Sequence, residues 1–187
     1  MTPPRHLVVL AGADPTAVDA LAATLREDGS VRTAYSLDAL FESLDEEVDV
    51  ALVDRALPDE SVAAVVAEVR ERAVDCQVAV VASEQDLRSS PSHGADAAVA
   101  WEGEAARETV DRLATRARYR DRLEEFYDLA EQRAALDSDE ESAVDRLDRH
   151  LDRLRRDLND GFDRLDGPDA FEAALSRDER HLGDPDE

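Results

Sequence analysis

Residues 48–55 read Val48-Asp49-Val50-Ala51-Leu52-Val53-Asp54-Arg55, an apolar run that ends in an acid. Short valine-rich runs of this kind are typical of strands buried inside a parallel sheet. An aspartate at the end of such a strand lies at the carboxyl edge of the sheet, where open α/β sheets bind ligands. Asp54 is therefore the first candidate functional residue of the chain.

Four further apolar runs are separated from it and from one another by segments with helical spacing, which predicts a sheet covered by helices on both faces. The five predicted strands are Leu7 to Ala11, Val31 to Ala34, Val48 to Val53, Val78 to Ala82 and Ala97 to Ala100. This alternation predicts an α/β fold of the flavodoxin-like type, with five parallel strands in the order 2-1-3-4-5.

The segments between these strands predict three helices and one weaker element. Pro15 suits the first turn of a first helix, and Ser36 suits the N-cap of a second. A third helix is predicted from about Glu60 to Ala73. Residues 87–94 contain few apolar side chains and a proline, Pro91, so a loop or one short turn is expected there.

Beyond Trp101 the sequence becomes long, charged and helical, with a predicted break at residues 137–139. The second of the two helices has apolar residues at heptad-like spacing, which predicts a coiled-coil seam. The members of this seam are Val144, Leu147, Leu151, Leu154, Leu158, Phe162 and Leu165. The seam either folds back on the preceding helix as an antiparallel hairpin or pairs with its copy in a second chain, and the regular heptads modestly favour the second arrangement.

The charge composition is extreme, because 46 acidic residues face 22 basic ones and the formal net charge is -24. All the basic residues are arginines, since the chain has no lysine. We interpret this as adaptation to molar salt, which screens the self-repulsion. The same charge argues against nucleic-acid binding through a basic patch. No apolar stretch approaches the ~20 residues that cross a bilayer, so we expect a soluble cytoplasmic protein with no membrane contact.

Taken together, these segments resemble a response-regulator receiver domain followed by a HalX domain, an arrangement found in salt-loving archaea. The receiver-like stretches are Val31-Arg32-Thr33-Ala34-Tyr35-Ser36, residues 48–55 with Pro58, Asp75-Cys76-Gln77-Val78-Ala79 and Arg107-Glu108-Thr109-Val110. The HalX-like stretches are Tyr119, Leu123-Glu124-Glu125-Phe126-Tyr127, Leu129-Ala130, Arg133-Ala134 and Phe171-Glu172-Ala173-Ala174. The resemblance implies a receiver-like domain over residues 1–116, a HalX-like helical domain over 117–180 and an acidic tail over 181–187.

The resemblance also implies a role for Asp54, which matches the aspartate that accepts a phosphoryl group from a sensor histidine kinase. That reaction needs Mg²⁺, held partly by consecutive acids after the first strand. Here Gly12 and Ala13 stand at the expected positions of those acids, and Asp14 is the single acid of the turn. Asp14 and Asp54 are therefore the candidate metal ligands, with Mg²⁺ as the cofactor if the receiver is active.

Three other positions depart from the receiver pattern. Trp101 aligns with the family lysine after the fifth strand, and an indole offers no charge to a phosphate. Ser83 can replace the switch hydroxyl only if the alignment shifts by one residue, because Ala82 precedes it at the strand end. Ala98 aligns with the aromatic switch position. These departures predict a degenerate receiver.

We therefore predict a non-enzymatic signalling protein of the two-component type that acts as a protein-interaction or dimerisation module. Its expected partners are a sensor histidine kinase or another signalling protein, and a homodimer through the seam is a candidate assembly. The alternative is an active response regulator that is phosphorylated on Asp54. The arginines after Arg112 alternate with acids, which favours ion pairs along a solvated helix over nucleic-acid contacts.

Overall fold

The computed structural model describes residues 6–57, 62–72, 76–89, 94–136 and 141–165. Five strands and six helices lie within these ranges. The strands are β1 (Leu7–Ala11), β2 (Ser30–Ala34), β3 (Val50–Asp54), β4 (Gln77–Ala82) and β5 (Ala97–Ala100). The helices are α1 (Pro15–Leu25), α2 (Leu37–Glu42), α3 (Val62–Arg72), α4 (Glu84–Ser89), α5 (Gly103–Ala135) and α6 (Glu141–Phe162).

The five strands form one parallel sheet in the order β2-β1-β3-β4-β5, which confirms the predicted fold class and strand order. The side chains of successive strand residues point to opposite faces of the sheet, and helices cover both faces. On one face, α1 and the start of α5 bury Leu21 and Leu113 against the sheet. On the other face, α2 and α3 bury Leu40 and Val69.

Short polar side chains begin the helices that surround the predicted site. The Asp14 carboxylate accepts a hydrogen bond from the Thr16 backbone N–H at 2.8 Å, with Pro15 in the first turn of α1. The Ser36 hydroxyl accepts from the Ala39 N–H at 3.2 Å and caps α2. Both caps supply acceptors for N–H groups that have no partner inside the helix.

Two aspartates precede strands and hydrogen-bond to the neighbouring strand. Asp49 accepts the Leu7 N–H on its carboxylate at 2.7 Å and donates its own N–H to the Leu7 carbonyl at 3.0 Å. Asp96 does the same to Val78, with both distances 2.8 Å. Each aspartate therefore joins two adjacent strands at their amino ends, which is the end of the sheet opposite Asp54.

The start of the fourth helix was not predicted. Helix α4 begins at Glu84 and continues to Ser89, so its last turn lies in the stretch where a loop or one short turn was expected. The cause is a local cap, because the Ser83 hydroxyl accepts the Asp86 N–H at 3.2 Å and starts the helix before the apolar-poor segment. Residues 90–93, with Pro91, lie outside the described residues.

The chain divides into two compact units, Met1–Ala114 and Thr115–Glu187, and α5 contributes to both. In the second unit, α6 folds back along the later part of α5. Arg133 Nε lies 2.8 Å from Asp148 Oδ1, and His150 Nε2 lies 3.2 Å from Glu125 Oε1. Since later residues of α6 meet earlier residues of α5, the two helices are antiparallel, and the structure shows the hairpin alternative within one chain.

The predicted seam members of α6 differ in burial. Leu154 and Leu165 are buried, whereas Phe162 is 53% exposed. The heptad steps that lead through Leu154 and Leu158 reach residue 161, so Gly161 takes the seam position and Phe162 falls one residue beside it. A β-carbon at Gly161 would lie 3.2 Å from Tyr119 Cδ2, so Tyr119 packs where the seam has no side chain. The remaining seam members, Val144, Leu147, Leu151 and Leu158, are half-buried.

Several predictions fall outside the described residues. They concern Pro58, the Asp75 motif position, the break at 137–139, and everything beyond Leu165, including the Phe171 motif and the acidic tail. Among the helices that the structure describes, none has the length and apolarity needed to cross a bilayer. The predicted domain boundary between residues 116 and 117 lies close to the division between the two units and stays a prediction.

Candidate functional site

A pocket of about 490 Å³ lies at the carboxyl ends of β3 and β4, at the edge where the sequence places its candidate residues. It brings together Asp54 with Asp14 and Ser83, as predicted, and with Trp101 from the end of β5. The lining residues are Asp14, Ala17, Asp54, Arg55, Ala56, Ala82, Ser83, Asp86 and Trp101.

Asp54 is 5% exposed, and both of its carboxylate oxygens accept hydrogen bonds from the backbone. Oδ2 accepts the Ala13 N–H at 3.1 Å, and Oδ1 accepts the Ala56 N–H at 2.9 Å. Ala13 belongs to the turn after β1, and Ala56 belongs to the turn after β3. The Asp54 side chain therefore joins two turns that are far apart in sequence.

The other two predicted polar residues cap helices. Asp14 uses its carboxylate on the first turn of α1 and is exposed at the rim of the pocket. Ser83 donates its hydroxyl to Asp86 Oδ2 at 2.6 Å while it accepts the Asp86 N–H. Each side chain has a structural partner of its own, and neither hydrogen bond is directed to Asp54.

Trp101 and Gly12 are in close contact beside Asp54. A β-carbon at residue 12 would lie 3.1 Å from Trp101 Cη2, 3.4 Å from Asp54 Cβ and 2.6 Å from Val18 Cγ2. Distances under about 3.4 Å are too short for carbon atoms in ordinary contact. Residue 12 can therefore be only glycine unless Val18 and Trp101 move.

The residues present offer few ligands for a Mg²⁺ ion. This ion requires near-octahedral oxygen ligands and is usually held by one or two carboxylates. Both oxygens of Asp54 already accept backbone N–H groups, and residues 12 and 13 carry no oxygen in their side chains. In the described ranges, no three His, Cys, Asp or Glu residues form a group that could hold a metal ion.

Two lining residues were missed from the sequence. Arg55 follows Asp54 directly and donates a hydrogen bond from Nη1 to the Asp86 carbonyl at 3.4 Å. Asp86 forms the cap with Ser83. The spacing Ser83-x-x-Asp86 is close to a capping box and could have indicated both the helix start and the proximity of Asp86. The contact of Arg55 depends on tertiary structure, and no local signal indicates it. Ala98, at the predicted aromatic switch position, is exposed in β5.

Ion pairs away from the pocket shift two pKa values. The Arg32 guanidinium donates to Asp45 Oδ2 at 2.7 Å and holds the pKa of that carboxyl below its usual value. The Asp28 carboxylate, in contact with Arg107, raises the pKa of that guanidinium. Both pairs lie at the surface of the first unit. The Arg107 pair joins the start of α5 to the α1–β2 connection, and the Arg32 pair joins β2 to the α2–β3 connection.

Comparison with known proteins supports the fold. No family model matches the sequence. The chain is 34% identical over 112 residues to a Haloferax volcanii protein described as "Putative transcriptional regulator", in a match that covers 58% of this chain and 19% of that protein. The chain therefore spans about a fifth of the length of this relative.

Two solved structures resemble this chain over most of their own length. A response regulator receiver domain from Clostridium thermocellum has a TM-score of 0.53 at 16% identity and covers 60% of this chain and 97% of that chain. An uncharacterised protein from Neptuniibacter caesariensis has a TM-score of 0.55 at 17% identity, with coverages of 62% and 92%. The five-stranded sheet with its flanking helices has the fold of a receiver domain.

Proposed function

We propose that the chain is a non-enzymatic signalling protein of the two-component type, in which a degenerate receiver domain works without aspartyl phosphorylation. One observation carries this proposal: both carboxylate oxygens of Asp54 accept backbone N–H groups, from Ala13 and Ala56. A phosphoacceptor must present an oxygen to the phosphorus atom and share the other with a cation. Each hydrogen bond occupies one of the two lone pairs of its oxygen and makes that oxygen a weaker nucleophile. Asp54 thus serves as a buried connection between two turns.

The surroundings of Asp54 support the same proposal. A phosphoryl group carries negative charge that cations must neutralise. Among the described residues that line the pocket, Arg55 is the single cation, and three aspartates offset it. Gly12, Ala13 and Trp101 stand where the receiver pattern has acids and a lysine, so the pocket repels a phosphoryl group and lacks the usual ligands for its metal ion.

We assign the interaction role to the hairpin formed by α6 and the later part of α5, which we propose to be HalX-like. Half of the arginines in the chain, 11 of 22, lie between residues 115 and 165, against 15 acids. Elsewhere acids far outnumber arginines, so the hairpin is the surface where another strongly acidic protein meets the least repulsion. Its partner is a sensor histidine kinase, another signalling protein or a second copy of this chain.

The first experiment treats the full chain and its Asp54→Asn variant with acetyl phosphate and Mg²⁺ in molar salt. Intact mass reports a phosphoryl adduct, and light scattering on the same samples reports the oligomeric state. We expect no adduct on either protein and the same oligomeric state with and without the phosphodonor. An adduct that the wild type gains and Asp54→Asn lacks would contradict the proposal. A receiver domain known to be phosphorylated under these salt conditions is the positive control.

The second candidate is an active phosphoacceptor, and the position of Asp54 favours it. The residue ends β3 at the carboxyl edge of the sheet and shares a pocket with Asp14 and Ser83. In that reaction an Asp54 oxygen attacks the phosphorus of a phosphohistidine, the P–N bond breaks, and the imidazole nitrogen keeps the electron pair. Mg²⁺ would be the required cofactor, with Asp14 and Asp54 as its protein ligands. The acetyl phosphate experiment distinguishes the two candidates.

A further inference from the structure

We infer that Trp101, together with Val18, keeps an acidic side chain out of residue 12 by steric exclusion and so deprives the Asp54 pocket of a cation ligand. The indole ring takes the space that a side chain at residue 12 would need, so Gly12 and Trp101 form a matched pair. This inference rests on the proposed function and deepens it. It states that restoring the missing acids would not restore cation binding while the ring remains in place.

The side chains around Gly12 leave no room for a β-carbon at this residue. Cη2 of Trp101 lies 3.1 Å from the β-carbon position of residue 12, and Val18 Cγ2 lies 2.6 Å from it. Trp101 also packs against the core cluster formed by α1, α5 and the sheet, so its ring cannot move outward without loss of buried contacts. Any side chain at residue 12 must displace the ring, the valine or both.

Asp54 lies beside residue 12 as well. Its Cβ lies 3.4 Å from the same β-carbon position, so the carboxylate, the ring and the β1–α1 turn meet at one place. A cation ligand on residue 12 would have to enter at this contact. An indole has an N–H donor and no oxygen acceptor, so it cannot serve as a ligand to Mg²⁺. The ring therefore crowds the position from which residue 12 would reach a cation, and it supplies no ligand of its own.

Mn²⁺ binding to two matched variants of the full chain tests the inference. One variant is Val18→Ala/Gly12→Asp/Ala13→Asp, and the other adds Trp101→Ala. Val18 is shortened in both, so that the variants differ only in the indole. Electron paramagnetic resonance of free Mn²⁺ in molar salt gives the affinity, and circular dichroism confirms that both variants are folded.

We expect the variant without Trp101 to bind Mn²⁺ about tenfold more tightly, or better, because two acids then stand beside Asp54 in an open pocket. Equal affinities, or an absence of binding by both folded variants, would overturn the inference. A phosphoryl adduct on the wild type would overturn the proposed function, whereas equal Mn²⁺ affinities would overturn only the role of Trp101.

A second measurement serves if the multiple variants do not fold. Trp101 is the only tryptophan, so its fluorescence reports the ring directly. We expect Gly12→Ala to shift its emission to longer wavelength and to make it more accessible to acrylamide. Gly103→Ala is the matched control, because its β-carbon would meet Thr24 Cγ2 at 3.1 Å, away from the ring. Unchanged emission and quenching in a folded Gly12→Ala protein would contradict steric exclusion.

Discussion

Asp54 is a buried carboxylate with a structural role, although its position at the end of β3 suggests a functional one. Its two oxygens accept the N–H groups of Ala13 and Ala56 and so link the turns after β1 and β3. Because these turns form the floor and rim of the pocket, the same side chain determines the shape of the pocket and contributes to stability.

We expect Asp54→Ala to lower the free energy of unfolding by about 2–4 kcal/mol, because it removes two hydrogen bonds to a charged acceptor. Asp54→Asn should cost less, since its amide oxygen can accept one of the two hydrogen bonds. Urea denaturation in molar salt measures both. Asp14→Ala is the control, because it removes an exposed helix cap at a cost of about 1 kcal/mol. The structural role of Asp54 would be contradicted if Asp54→Ala were no more destabilising than Asp14→Ala.

At the same scale, the sequence identified some site residues and missed others for a physical reason. Asp54 and Asp14 were found because strand ends and helix starts leave local patterns. The contact of Trp101 with Gly12 has no such pattern, since the two residues are brought together only when β5 and β1 join one sheet. Comparison with the receiver pattern identified Gly12 and Trp101 as unusual, but only the structure shows that the small residue and the large one fit each other.

The helices and strands differ in how well their sequences predict them. The bounds of β1 and β5 agree with the predicted ones, because short apolar runs end where polar residues begin. Helix α4 was underestimated, because its cap, Ser83, lies outside the segment whose composition argued for a loop. The pairing of α6 was left open, because a heptad pattern shows that a helix has a partner but not which one.

In the hairpin, we expect Leu154→Ala to destabilise the helices far more than Phe162→Ala. Leu154 is 5% exposed, so its truncation should cost about 2–4 kcal/mol, whereas Phe162 is 53% exposed and should cost less than about 1 kcal/mol. Hydrogen exchange of the α6 amides measures the effect locally, which is needed because two compact units can unfold separately. Similar protection in both variants would contradict this packing of α6 within one chain.

At the scale of the whole molecule, the charge of -24 is the dominant property. Such a charge opposes the compact state through self-repulsion, and salt screens it over a distance of about 3 Å at 1 M against 10 Å at 0.1 M. The chain has no lysine, so arginines provide all its permanent cationic side chains. These arginines are concentrated in the hairpin, and the first unit is left strongly negative.

We expect the melting temperature to rise by roughly 10 °C or more between 0.1 M and 2 M KCl, because screening favours the folded state of a highly charged chain. Differential scanning calorimetry measures the shift. A sucrose series of equal water activity is the control, since it stabilises compact states without screening charge. If sucrose and KCl gave equal shifts, self-repulsion would not be the factor that limits stability.

The aspartates that precede β3 and β5 have a consequence for the accuracy of folding. The sheet is built largely from valine and alanine, and a strand of such small, similar side chains could slip by two residues along its neighbour and still bury apolar groups. Asp49 holds β3 to Leu7, and Asp96 holds β5 to Val78, each through a pair of hydrogen bonds at the amino end of the sheet. A slip by two residues would either break these bonds or carry the carboxylate among apolar side chains. In this protein, carboxylates thus specify the alignment of strands whose shapes alone would leave it ambiguous.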